Sequence, residues 1–133
     1  MIRAVSTYCS GPKRDDDGML PAYERYQSQR IRTLAMRASW DRRPFFILSG
    51  EYGLITANTL IPWYDHLLLA EEVDALVPEV VQQLEHCRVG SMEYNTGPIA
   101  SEPLVKPYFD LMSSACTRAG VELEIVLLPV GLV

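Results

Sequence analysis

Cysteine and histidine are too sparse in this 133-residue chain to build the sites they usually build. Cys9, Cys87 and Cys116 lie far apart with no CxxC pair, which argues against a disulfide framework and a thiolate zinc cluster, so all three read as reduced thiols. His66 and His86 are the two histidines, with neither an HExxH helix nor a Cys2His2 spacing, and no metal is expected. Long apolar runs are missing too. No stretch reaches the roughly 18–20 residues of a membrane span, and the N-terminus turns polar by Ser6, too early for the hydrophobic region of a signal peptide. A cytoplasmic protein without membrane partners is expected. The dinucleotide fingerprint GxGxxG and the phosphate loop GxxxxGK[ST] do not occur, and the expectation is that no cofactor is needed. Basic residues are outnumbered twelve to seventeen, and a net charge of −5 gives no global attraction for nucleic acid. The charge is uneven, however: Lys13 and Arg14 face Asp15 to Asp17, whereas Arg25, Arg30, Arg32 and Arg37 have little acid nearby.

What the chain does have is apolar material, 48% of its residues, enough for one core at a length typical of one domain. Ile2 to about Tyr8 reads as a strand followed by a Gly, Pro and Asp-rich loop. Pro21 to about Ser39 has neither Gly nor Pro inside it and predicts a helix. Phe45–Ser49, an unbroken apolar run, reads as a strand covered on both faces, ended by Gly50 and Gly53. Leu54 to Leu68 gives no clear period and is expected to be ordered loop or short turns. Leu69, Val73, Leu76, Val80 and Leu84 recur at helical steps, with Pro78 expected to bend or divide that helix. A strand around Cys87–Tyr94 follows. Ser101 is then the expected N-cap of a last helix with Leu104, Tyr108, Leu111 and Ala115 inward and Gly120 at its end, and Val121–Val130 supplies the last strand. The alternation predicts a single α/β domain over residues 1–133, in three layers, with a largely parallel sheet of about four strands and helices on both faces. Ligands in such sheets bind beyond the carboxyl ends of the strands, where Tyr8 to Lys13, Ser49 to Gly53 and Glu93 to Gly97 are expected to emerge together.

Three clusters carry side chains suited to chemistry. In the first, Cys9 is a candidate nucleophile or a buried small residue, and Lys13 a candidate amine or anion contact or a solvated loop residue, with Ser28 and Arg30 on the following helix. In the second, Ser49, Gly50, Glu51, Tyr52 and Gly53 form a ligand loop or a tight structural turn. In the third, Trp63, Tyr64, Asp65 and His66 combine a stacking aromatic with a carboxylate and a titratable ring, one of the two aromatics being expected in the core.

Taken together these residues resemble a bacterial family related to the peroxide-stress protein YaaA, and more distantly a domain of archaeosine synthase. The likeness rests on Cys9 and Lys13, on Pro21, Ala22, Tyr26 and Ser28 with Arg30 just beyond, on Leu48–Leu54, and on Ile61, Pro62, Tyr64 and Asp65. Trp63 is inserted relative to the family pattern, and "RDDDGML" lengthens the gap after Lys13. The resemblance covers about the first 70 residues and implies an α/β domain serving nucleobase, nucleotide or nucleic-acid-linked chemistry. The functional expectation is an enzyme acting on a nucleobase or nucleotide-like small molecule by transfer or glycosidic-bond chemistry, with Cys9, Lys13 and Asp65 catalytic. Ser28, Arg30, Ser49, Gly50, Glu51, Tyr52, Gly53 and Tyr64 would bind substrate. The alternative is a noncatalytic nucleic-acid or nucleotide-binding module using Arg25, Arg30, Arg32 and Arg37 on phosphates. The sequence leaves the oligomeric state open.

Overall fold

The apolar runs become the parallel strands of a five-stranded sheet in the computed structural model, which describes residues 1–132. In chain order the elements are β1 (Ile2–Tyr8), a two-residue β2 (Leu20–Pro21), α1 (Ala22–Arg25), α2 (Gln29–Trp40), β3 (Phe45–Ser49), β4 (Gly53–Thr56), β5 (Leu60–Ile61), α3 (Val73–His86), β6 (Val89–Thr96), α4 (Lys106–Ala119) and β7 (Glu122–Leu127). The sheet runs β4-β3-β1-β6-β7, with β3, β1, β6 and β7 parallel and β4 antiparallel on the β3 edge. β2 and β5 pair separately. The expected three-layer α/β architecture is therefore present. α2 packs on β1 and β3, while α3 and α4 pack on each other and on β4, β6 and β7.

Strand parity explains why a central strand tolerates Ser6 and Thr7 at full burial. Their hydroxyls donate to the Glu93 and Asn95 carbonyls of β6, at 3.1 and 2.9 Å, so neither is left without a partner. β6 runs on through Thr96, so Glu93 to Thr96 stay inside the sheet instead of leaving it as a loop. There the Glu93 carboxylate receives Arg37, Arg43 and the Asn95 side-chain amide. Those three donors outweigh its desolvation and hold its pKa below the ordinary glutamate value.

Local chemistry overrides the periodic reading at several points. The expected Pro21–Ser39 helix is two helices, because Tyr26 turns to extended backbone, Gln27 N–H bonds to Pro12 O at 3.0 Å, and Ser28 caps α2 by accepting from Ile31 N–H at 3.1 Å. α3 is continuous through Pro78, held by buried Val73, Val77, Val80 and Leu84, while Leu69 is exposed ahead of it. Ser101 is not an N-cap. Its hydroxyl returns to Pro98 O, and a 3-10 turn at Pro103–Val105 leads into α4, leaving Leu104 exposed; Gly120 closes that helix at φ 71°, as expected. β4 and β5 fall in the stretch read as loop, since strands this short carry no measurable period.

Two long polar side chains fasten this irregular region. Arg25 is the largest fully buried side chain, and it donates to the carbonyls of Arg14 (2.8 Å), Asp16 (2.9 Å), Gly18 (2.6 Å) and Ile61 (3.3 Å), tying the Arg14–Gly18 loop to β5. Gln83 of α3 accepts Leu54 N–H at 2.7 Å and donates to Tyr52 O at 3.0 Å, so a side-chain amide occupies the start of the outer edge of β4.

Candidate functional site

A cavity of about 540 Å³ opens beyond the carboxyl end of β1. Its walls come from Tyr8 to Lys13, from the N-terminus of α2 at Gln27–Arg30, from Asp65–Leu67, and from Glu102, Leu104, Val105 and Tyr108. Six of the sequence candidates line this space: Cys9, Lys13, Ser28, Arg30, Asp65 and His66.

Arg30 forms a fixed wall. Its guanidinium donates to Thr7 Oγ1 and Tyr8 O, both at 2.6 Å, and to Cys9 O at 3.1 Å, and its carbon centre lies 3.7 Å from the Tyr8 ring centroid. Burial draws its pKa down from the ordinary arginine value. Cys9 is buried, with its amide on Leu48 O at 2.9 Å and its Sγ 3.7 Å from the Tyr108 hydroxyl, which in turn accepts Leu68 N–H at 3.0 Å. Burial raises the Tyr108 pKa. Lys13 is half-buried, with Nζ 3.2 Å from Gly11 O and 4.5 Å from the centroid of the Tyr64 ring. That single carbonyl contact leaves ammonium hydrogens free, and the ring face adds a cation–π attraction. Neither Lys13 nor Asp65, which is exposed at the rim, forms an ion pair among the described residues.

The other candidates lie elsewhere. Ser49 is fully buried, and its Oγ accepts the N–H groups of Glu51 and Tyr52, both at 3.1 Å. With those acceptor positions filled, its proton goes to the Tyr64 hydroxyl at 2.9 Å, and Tyr64 donates onward to Tyr26 at 2.5 Å. Burial raises the pKa of both tyrosines. Tyr64 is thus a core residue and no stacking platform, whereas its neighbour Trp63 is exposed. Tyr52 packs edge-on against Tyr64 at 5.2 Å. Gly50 lies where a Cβ would come within 3.1 Å of Leu68, and Gly53, at φ +72°, where one would meet Gln83 Oε1 at 2.6 Å. The Ser49–Gly53 segment is a structural hairpin turn and does not line the cavity.

Glu51 points outward to His66, whose Nδ1 lies 2.5 Å from its carboxylate, while His66 Nε2 lies 2.7 Å from Glu72. The hydrogen bond accepted by Glu51, and after it that accepted by Glu72, raise the His66 pKa above its ordinary value. Glu72 also accepts Leu69 N–H, and its own pKa is lowered. The stabilisation from a histidine with a raised pKa is complete below the unfolded value of about 6.5 and is lost as pH rises through the folded pKa. We expect the His66 ring to titrate by NMR above about pH 6.5 and its midpoint to fall in Glu51→Gln. A midpoint at or below that value would remove the bridge.

The arginines proposed as phosphate contacts do not form a patch. Arg25 and Arg30 are buried on carbonyls and Arg37 pairs with Glu93, which leaves Arg32 exposed. Sequence reasoning missed Tyr8 and Tyr108, although Tyr8 ends a strand that was correctly read, and it missed Glu102, which no motif marks. Among the described residues no group of three or more His, Cys, Asp or Glu side chains converges as a metal site would require. Among the described residues no helix is long and apolar enough to cross a membrane. The chain matches no family model, and no curated protein or solved structure is significantly similar to it.

Proposed function

We propose that the cavity binds a nucleotide-like anion and that the protein is an enzyme acting on it. The observation that carries this reading is a convergence: the N-terminus of the twelve-residue α2, with no acidic side chain in its first turn, opens on the same cavity as unpaired Lys13 and unpaired Asp65. Backbone N–H groups at a helix start and an ammonium favour the same anionic group, a phosphate or carboxylate. A space of about 540 Å³ suits a nucleoside monophosphate, within the range of ordinary small-molecule sites. Asp65 is then the group available to read a base edge or to serve as acid or base in transfer or glycosidic-bond chemistry. Lys13 is the more accessible of the two candidate nucleophiles, since Cys9 is buried and engaged with Tyr108. The resemblance to the YaaA-related family supports a nucleobase-linked substrate. The nucleic-acid-binding alternative has the weaker support, because Arg25 and Arg30 are committed to internal carbonyls and Arg37, though partly exposed, pairs with Glu93.

The test is a calorimetric panel of nucleobases, nucleosides and nucleoside monophosphates. Monophosphates should bind ahead of nucleosides, with Lys13→Ala weakening binding at least about tenfold. Asp65→Asn should keep the anion contact and lose turnover, followed by mass-resolved product detection. A folded protein that binds none of these compounds, or that is indifferent to both substitutions, overturns the assignment.

A further inference from the structure

The sheet ends differently at its two edges. At β4 the Gln83 amide already occupies backbone groups of the outer edge. At β7 nothing pairs with the outer edge among the described residues, and the strand "ELEIVL" has none of the lysine, proline or bulge that usually blunts such an edge. Leu128 N–H bonds to Thr96 O of β6 at 2.9 Å. Because backbone direction alternates along a strand, Glu122, Glu124 and Val126 also face β6, and Leu123, Ile125 and Leu127 present free N–H and C=O groups outward. On the side-chain level the same parity puts Leu123, Ile125 and Leu127 on one face, with Ile125 37% and Leu127 63% exposed, and Glu122 and Glu124 on the other.

We propose that β7 pairs with β7 of a second copy of this chain, antiparallel, about a two-fold axis through Ile125. Antiparallel self-pairing admits only registers that keep equivalent faces together, and the side chains choose among them. An axis at Glu124 sets that glutamate against itself at the close pair distance of about 4.5 Å, like charge on like. An axis at Val126 brings Leu123 opposite Pro129, which has no N–H to give. With the axis at Ile125, Leu123 faces Leu127, Glu124 faces Val126, and about six backbone hydrogen bonds form, two at each outward-facing pair. The exposed leucines and isoleucine of both copies then join into one apolar row. A foreign strand would not need this match, whereas the self-pairing satisfies charge, proline position and apolar face at once.

The experiment is analytical ultracentrifugation of the full chain with residue-resolved amide exchange. A dimer is expected, with slow exchange at Leu123, Ile125 and Leu127 as well as at the inward amides. Leu127→Lys, at a site exposed enough to leave the monomer folded, should raise the dimer dissociation constant at least about tenfold and release those outward amides while Glu124 and Val126 stay protected. A monomer at about 100 μM, far above the dissociation constant of a stable dimer, overturns the proposal. So does a dimer indifferent to Leu127→Lys, or one whose outward amides exchange freely. Protection of these amides in a monomeric species overturns it as well.

Discussion

Arg25→Met is expected to destabilise the protein by about 3–5 kcal/mol, because it deprives one buried and three partly buried carbonyl groups of their donor and removes the one side chain that joins them. Arg14, Asp16, Gly18 and Ile61 accept through their carbonyls from a single guanidinium that forms no salt bridge among the described residues, so no side chain of similar length and fewer donors reproduces the fork. Arg25→Lys should therefore recover little. Urea unfolding measures both variants; a shift of under about 1 kcal/mol in Arg25→Met, the ordinary scale of a surface substitution, would show that the Arg14–Gly18 loop is held by something else.

Arg30→Met is expected to lose about 3 kcal/mol, since it removes three charge-assisted hydrogen bonds and the stacking on Tyr8. Its distinctive consequence is positional. Arg30 joins the first turn of α2 to the end of β1, two of the walls of the cavity, so the variant should also weaken monophosphate binding even at temperatures where it is fully folded. Thermal unfolding and calorimetry on the same sample separate the two effects. Loss of stability with unchanged affinity would reduce Arg30 to a packing residue.

Three of the four parallel strands were legible as largely apolar stretches bounded by turn residues, β6 only in part because Glu93, Asn95 and Thr96 run on inside the sheet, and α4 because Tyr108, Leu111 and Ala115 keep one face. β4 was illegible for a physical reason: four residues give no period, and its pairing depends on Ser49, Gly53 and a side chain from residue 83, none of which announces a strand. The candidate site divided along the same line. Cys9, Lys13, Ser28, Arg30 and Asp65 reach one cavity because they sit at element ends, where a parallel sheet gathers them. Ser49 and Tyr64 look equally polar on paper, but hydroxyls satisfied by one another and by backbone amides go inward, and that pairing is visible only in three dimensions. Arg25 shows the same limit more sharply. Its charge suggested an external phosphate, and its partners are carbonyls contributed by the Arg14–Gly18 loop and by β5.

The Gln83 amide on the rim of β4 bears on how far assembly proceeds. A sheet with two open edges is a monomer unit for a fibre, since each addition exposes a fresh edge identical to the last. Here one rim is covered by a glutamine from the protein's own helix and by the Thr56–Thr59 turn, so joining through the opposite rim, as proposed, uses up the open edge found among the described residues. The proposed complex would close at two, with a covered rim at each end. The covered rim, closed by Gln83 and by the Thr56–Thr59 turn together, thus limits the proposed assembly to a pair from the far side of the molecule.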